Sequence, residues 1–213
     1  MVKLFLKAKH WQLFFLMVGV PIIGYVFFVV KLIGAIQAMQ IEGANTMPVE
    51  SPEAIIEMMR PFIFFLTLPM LIHFGWYYSL GKGVQKIVNP LLRIKTGLFT
   101  FTTLFPLLYV LVSIWLVDGI LENAVLDQDY EPPLGLLVLL PLNLITMASM
   151  FYNFYFVART IKTAELNRVV KFSDYAGEFF LMWFYFIGIW IIQPKVNGLL
   201  EYIPGDLLNE LHD

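Results

Sequence analysis

The sequence predicts an all-α integral membrane protein, a bundle of about five proline-kinked transmembrane helices with its N-terminus inside. Three observations carry that expectation. Apolar residues make up 59% of the 213 positions and charged residues only 14%, against roughly half and about a quarter in soluble domains. Apolar stretches recur at the length of roughly 20 residues that a helix needs to cross a bilayer core of about 30 Å. Lysines and arginines gather in alternate connections between those stretches, as they do in cytoplasmic loops.

The expected spans are 11–32, 61–80, 98–117, 134–158 and 175–192, together one transmembrane domain. The first follows Lys3, Lys7 and Lys9 and is longer than the roughly 7–15 apolar residues of a cleavable leader, so it reads as a retained span. Ahead of the second, Ser51 is placed to cap a short helix with Pro52 at its first position, and Pro61 begins the span. Gly81-Lys82-Gly83 lacks the earlier glycine of a phosphate loop and reads as the end of that span. Val84, Ile87, Val88, Leu91 and Leu92 then alternate with cations, which suits a segment lying on headgroups. Pro132 and Pro133 restart the chain ahead of the fourth span. Pro21, Pro69, Pro106 and Pro141 sit near the middles of the first four, where each removes an amide donor and kinks the helix. The fifth carries Gly177 and Glu178 in its first turn. Counted from Phe179, it is short enough for a re-entrant or tilted element.

Threading follows from charge. Lys3, Lys7, Lys9, Lys82, Lys86, Arg93, Lys95, Arg159, Lys162, Arg168 and Lys171 fall on one side, and only Lys31, Arg60 and Lys195 on the other. That puts the N-terminus inside and, if the fifth span crosses, the C-terminus outside. Glu42, Glu50, Glu53 and Glu57, with Asp118, Glu122, Asp127, Asp129 and Glu131, would make the outer face negative. Trp11, Trp76, Tyr77, Tyr78, Trp115, Tyr152 and Tyr155 lie near span ends and read as interface anchors.

Polar residues within spans are the candidates for function, because they are costly in lipid and turn toward the bundle interior. At 100° per residue, Thr102, Tyr109 and Ser113 share a stripe with Pro106 on the third helix, and Asn143, Thr146, Ser149 and Asn153 share an arc on the fourth. The two stripes should meet, as interhelical hydrogen bonds or as a hydrated path. His73 has Tyr77 one turn on. Glu178 shares a face with Tyr185 and Gln193 if the fifth helix is continuous. It either satisfies the amides of a helix start capped by Ser173 or Asp174, or pairs with a cation.

There is no cysteine, no cluster with metal-ligand spacing and no nucleotide fingerprint, so neither cofactor nor metal is expected and an enzyme is disfavoured. The spread of the cations disfavours nucleic acid. Residues 171–197, KFSDYAGEFFLMWFYFIGIWIIQPKVN, resemble a stretch in small polytopic membrane proteins of bacteria that carries no assigned activity. The resemblance implies a bacterial inner membrane and nothing about chemistry. The leading expectation is an accessory or assembly subunit that docks a membrane or cytosolic partner, or a second copy, through Arg159, Lys162, Glu165, Arg168 and Lys171. The alternative is a small permease with a polar path between the third and fourth spans.

Overall fold

The computed structural model describes residues 2–41, 52–126, 131 and 133–201. All regular structure among them is helical. The elements are α1 (Val2–Lys7), α2 (His10–Phe14), a π-helical turn (Phe15–Gly19), α3 (Val20–Ile41), α4 (Pro52–Ile87), α5 (Gly97–Leu126), α6 (Leu139–Leu166), α7 (Phe172–Trp183) and α8 (Tyr185–Glu201). Short 3-10 turns at Pro90–Leu92 and Leu134–Val138 lead into α5 and α6. Glu42, Glu50, Asp127, Asp129, Ser51 and the tail after Glu201 lie outside the described residues.

Four helical stretches are long and apolar enough to cross a membrane: His10–Gly34, Ile63–Ile87, Gly97–Val117 and Leu134–Leu166. The first runs from α2 into α3 through the π-helical turn, where Val20 N–H bonds back five residues to Phe15 O. The widened turn sits immediately before Pro21, which has no amide to donate. The fourth continues past its expected end to Leu166 and stops at Asn167, the one described non-glycine residue with positive φ (47°). Asparagine tolerates that left-handed conformation better than most residues, and a helix often ends on it.

The fifth expected span, 175–192, is not one continuous helix. Its helix breaks at Phe184 (φ −89°, ψ 58°) and doubles back as the hairpin α7–α8. The break is hydrogen-bonded: Phe184 N–H donates to Phe180 O at 2.8 Å, and the amides of Ile187 and Gly188 donate to Phe184 O. The Tyr77 hydroxyl of α4 donates to Met182 O at 2.6 Å, so a carbonyl at the bend is also satisfied. A Cβ on Gly188 would overlap the backbone carbonyl of Leu181, so the two arms approach this closely only with glycine there. Phe180, Trp183, Phe184, Phe186, Ile187 and Trp190 are exposed around the bend, an apolar surface suited to lipid.

Because the hairpin returns, Lys195 stands beside Lys162 and Glu165, and α8 packs against α2 and α1. The described end of α8 is therefore at the N-terminal end of the bundle. This corrects the placement of Lys195 on the opposite side and the expectation of a crossing. Two smaller expectations also change. Gly81 and Gly83 do not end the second span; α4 runs through both, because they let the Phe99 ring and Leu6 pack onto its backbone. Trp76 and Tyr77 are not lipid anchors: both are fully buried in the core with Leu80, Phe156, Ile189 and Ile192, whereas Trp11 and Trp115 do face outward.

Candidate functional site

The turn between α6 and α7 is locked by charge. Arg168 donates two parallel bonds to Asp174, Nη1 to Oδ2 and Nη2 to Oδ1, each 3.1 Å. Asp174 Oδ2 also accepts from Lys171 N–H at 2.8 Å, which supplies a partner to the start of α7. Helix α7 thus begins at Phe172, three residues before the expected span, and Glu178 lies in its second turn rather than its first.

Glu178 belongs to a closed ring of alternating charge. Its Oε1 accepts from Lys162 at 3.2 Å and from Lys195 at 2.7 Å, and Glu165 Oε2 accepts from the same two ammonium groups at 3.0 Å and 2.8 Å. One arm of the ring stands on α6, one on α7 and one on α8, so it clasps the hairpin to the fourth membrane helix. The Glu178 side chain is 9% exposed, while the lysines keep 19% and 26%. Burial works against its charged form, but the two lysines outweigh that and hold its carboxyl below the usual range. Glu178 therefore stays ionised, held by the two lysines together with its own backbone amide.

A second anchor lies farther along α8. Gln193 is fully buried. Its Oε1 accepts from Trp76 Nε1 at 2.8 Å. Its Nε2 lies within donating distance of Phe5 O (3.0 Å), Leu6 O (3.2 Å) and Ala8 O (2.9 Å), the carbonyls at the end of α1. A short helix leaves its last carbonyls without internal partners, and here one amide reaches from α8 to serve them.

The remaining candidates separate. Asn153 is buried and joins α6 to α5: its Oδ1 accepts from Thr102 at 2.8 Å and Thr103 at 3.3 Å, and its Nδ2 donates to Thr102 O at 2.9 Å. Tyr109 donates to Leu139 O at 3.2 Å. Asn143, on the same expected arc as Asn153, is exposed, and the side-chain bond between the two stripes is that of Thr102 with Asn153. Tyr185 follows the break at Phe184 and is parted from Glu178; it meets His73 instead, ring to ring at 4.7 Å, with Tyr77 at 4.5 Å on the same imidazole. His73 and Tyr185 line a cavity of about 330 Å³ with Met17, Pro21, Leu66 and Pro69. Arg159 donates to the Tyr155 hydroxyl at 2.6 Å, and Lys171 is exposed.

Sequence reasoning missed Lys195 as a partner of Glu178, and Trp76 as a partner of Gln193. The only available signal was QPK following an apolar run with Gly188 inside it; the bend itself falls in WFYF, which holds no residue that favours a turn. The fold and clasp define the class: a helical membrane protein with, among the described residues, four helices long and apolar enough to cross a bilayer and a short helical hairpin fastened at its basic end. Compared with known protein families, curated proteins and solved structures, the chain matches none.

Proposed function

We propose that the chain is a non-enzymatic accessory or assembly subunit of a bacterial inner membrane, with its N-terminus and the α6–α7 turn in the cytosol, and that this turn docks a protein partner. The observation that carries the reading is the contrast within residues 159–174. Lys162 and Glu165 belong to the clasp and Arg168 is tied to Asp174. Val169 (67% exposed) and Phe172 (54%) point outward beside Lys171. A turn held rigid by charge and presenting apolar groups loses little entropy on binding. The return of Lys195 to the basic end supports the sidedness, leaving Lys31 and Arg60 at the other. The mutual satisfaction of Thr102, Thr103 and Asn153 weighs against a permeation path there.

The expected result of a mild-detergent pull-down from native membranes is a stoichiometric partner that is lost on replacing Val169 with Glu and Phe172 with Ser, at unchanged abundance and thermal midpoint. Recovery of the same partner by the variant, or of the wild-type chain only by itself, sinks the docking surface. Reporters active only in the cytosol should work when fused before Met1 and after Asp213 alike; activity at one end alone contradicts the returning hairpin.

A further inference from the structure

We propose that the cavity between the first two membrane helices and the hairpin binds the ring of a lipid-soluble quinone. Its walls are Met17 in the π-helical turn, Pro21 on α3, Leu66, Pro69, Met70 and His73 on α4, and Tyr185 at the start of α8. Its volume of about 330 Å³ is at the lower end of the roughly 300–1,000 Å³ of small-molecule sites, which suits a single ring. His73 stands near the middle of the apolar stretch Ile63–Ile87, so a ligand reaches it through the bilayer. Leu66 is a wall of the cavity and is 48% exposed, which marks the entrance from lipid.

Two polar side chains meet this space without a hydrogen-bond partner among the described residues. The imidazole of His73 has rings against it, Tyr77 at 4.5 Å and Tyr185 at 4.7 Å, but no donor or acceptor. The Tyr185 hydroxyl likewise has none, whereas Tyr77 of the same cluster donates its hydroxyl to Met182 O. A polar group at membrane depth is costly until it is paired. An acyl chain in the cavity would leave both groups unpaired, and a charged ligand would find no ionised side chain on these walls. A neutral ring bearing carbonyl oxygens satisfies them. Its carbonyls accept from the Tyr185 hydroxyl and the imidazole N–H, and the hydroxyl of the reduced ring donates to the other imidazole nitrogen. The tail then leaves past Leu66 into lipid.

The test titrates the full chain in neutral detergent with decylubiquinone, whose ring quenches nearby tryptophan; the Trp76 ring lies 6.4 Å from that of His73. Expected is saturable quenching that decylbenzene, with the same tail and a ring without oxygens, does not displace. Tyr185→Phe removes only the unpartnered hydroxyl and should weaken binding about 5-fold, and His73→Leu about 10-fold, the size of one lost hydrogen bond each. Weaker binding in either variant at the wild-type thermal midpoint supports the site. Quenching that never saturates is partition into detergent and overturns the proposal, as does an affinity unchanged in both variants. Displacement by decylbenzene at comparable concentration also overturns it, because the cavity would then read apolar bulk and not the carbonyls.

Discussion

Replacing Glu178 with alanine will loosen the α7–α8 hairpin by about 2–4 kcal/mol, the cost of leaving buried charge without its partner, reduced slightly because the lysines keep some water. The carboxylate sits between Lys162 and Lys195 at 3.2 Å and 2.7 Å, so its loss leaves two cations facing one another with Glu165 alone to balance them. Thermal unfolding in detergent measures the effect. The companion variant, Glu178→Met with Lys195→Leu, removes one charge of each sign and keeps the Lys162–Glu165 pair at 3.0 Å. It should recover most of the loss, since replacing a buried pair with apolar groups is often close to neutral. Equal loss in the single and double variants would mean that the ring acts through packing and not charge.

The same ring predicts a pH dependence. The Glu178 carboxyl is held below its ordinary value, so the unfolded chain binds the proton more readily than the folded one. Its contribution is complete above the unfolded value of about 4.3 and fades as pH falls through the lower folded value. The wild type should lose stability in that acid window more steeply than the Glu178→Met/Lys195→Leu variant.

Gln193→Leu will have an effect of similar size, about 2–6 kcal/mol, because one substitution orphans two buried groups at about 1–3 kcal/mol each. Trp76 Nε1–H loses its acceptor at 2.8 Å and Leu6 O loses its donor, while Phe5 O keeps the Ala8 amide at 3.3 Å. Ala8 O keeps Asn197 Nδ2 at 3.2 Å, so the loss is not total. Hydrogen exchange should rise together in α1 and α8, which are far apart in sequence and joined by this amide. Faster exchange in α8 alone would show that Gln193 does not hold the N-terminal helix.

Much of this molecule is legible in its sequence, and what is not has a common cause. Membrane character and the four helices long and apolar enough to cross follow from composition and from the length of apolar runs, because a bilayer imposes one thickness on every segment that crosses it. The contact of Thr102 with Asn153 follows from helical periodicity on neighbouring helices. Glu178 stood out because a carboxylate in an apolar run demands a partner.

What the sequence could not determine is which partner. Lys195 is 17 residues from Glu178, and an unbroken helix over that length would hold them about 25 Å apart at 1.5 Å per residue; they meet because the chain turns at Phe184. No local residue preference marks that turn. It is held by Tyr77 on Met182 O, by the room Gly188 leaves beside Leu181, and by the ring at its base. The sequence by itself determined that this chain belongs in a membrane and which polar residues had to be satisfied there. Only the tertiary structure decided that the last apolar stretch folds back on itself, because Tyr77 and the Lys162–Glu165 pair that hold the return stand on two other helices, α4 and α6.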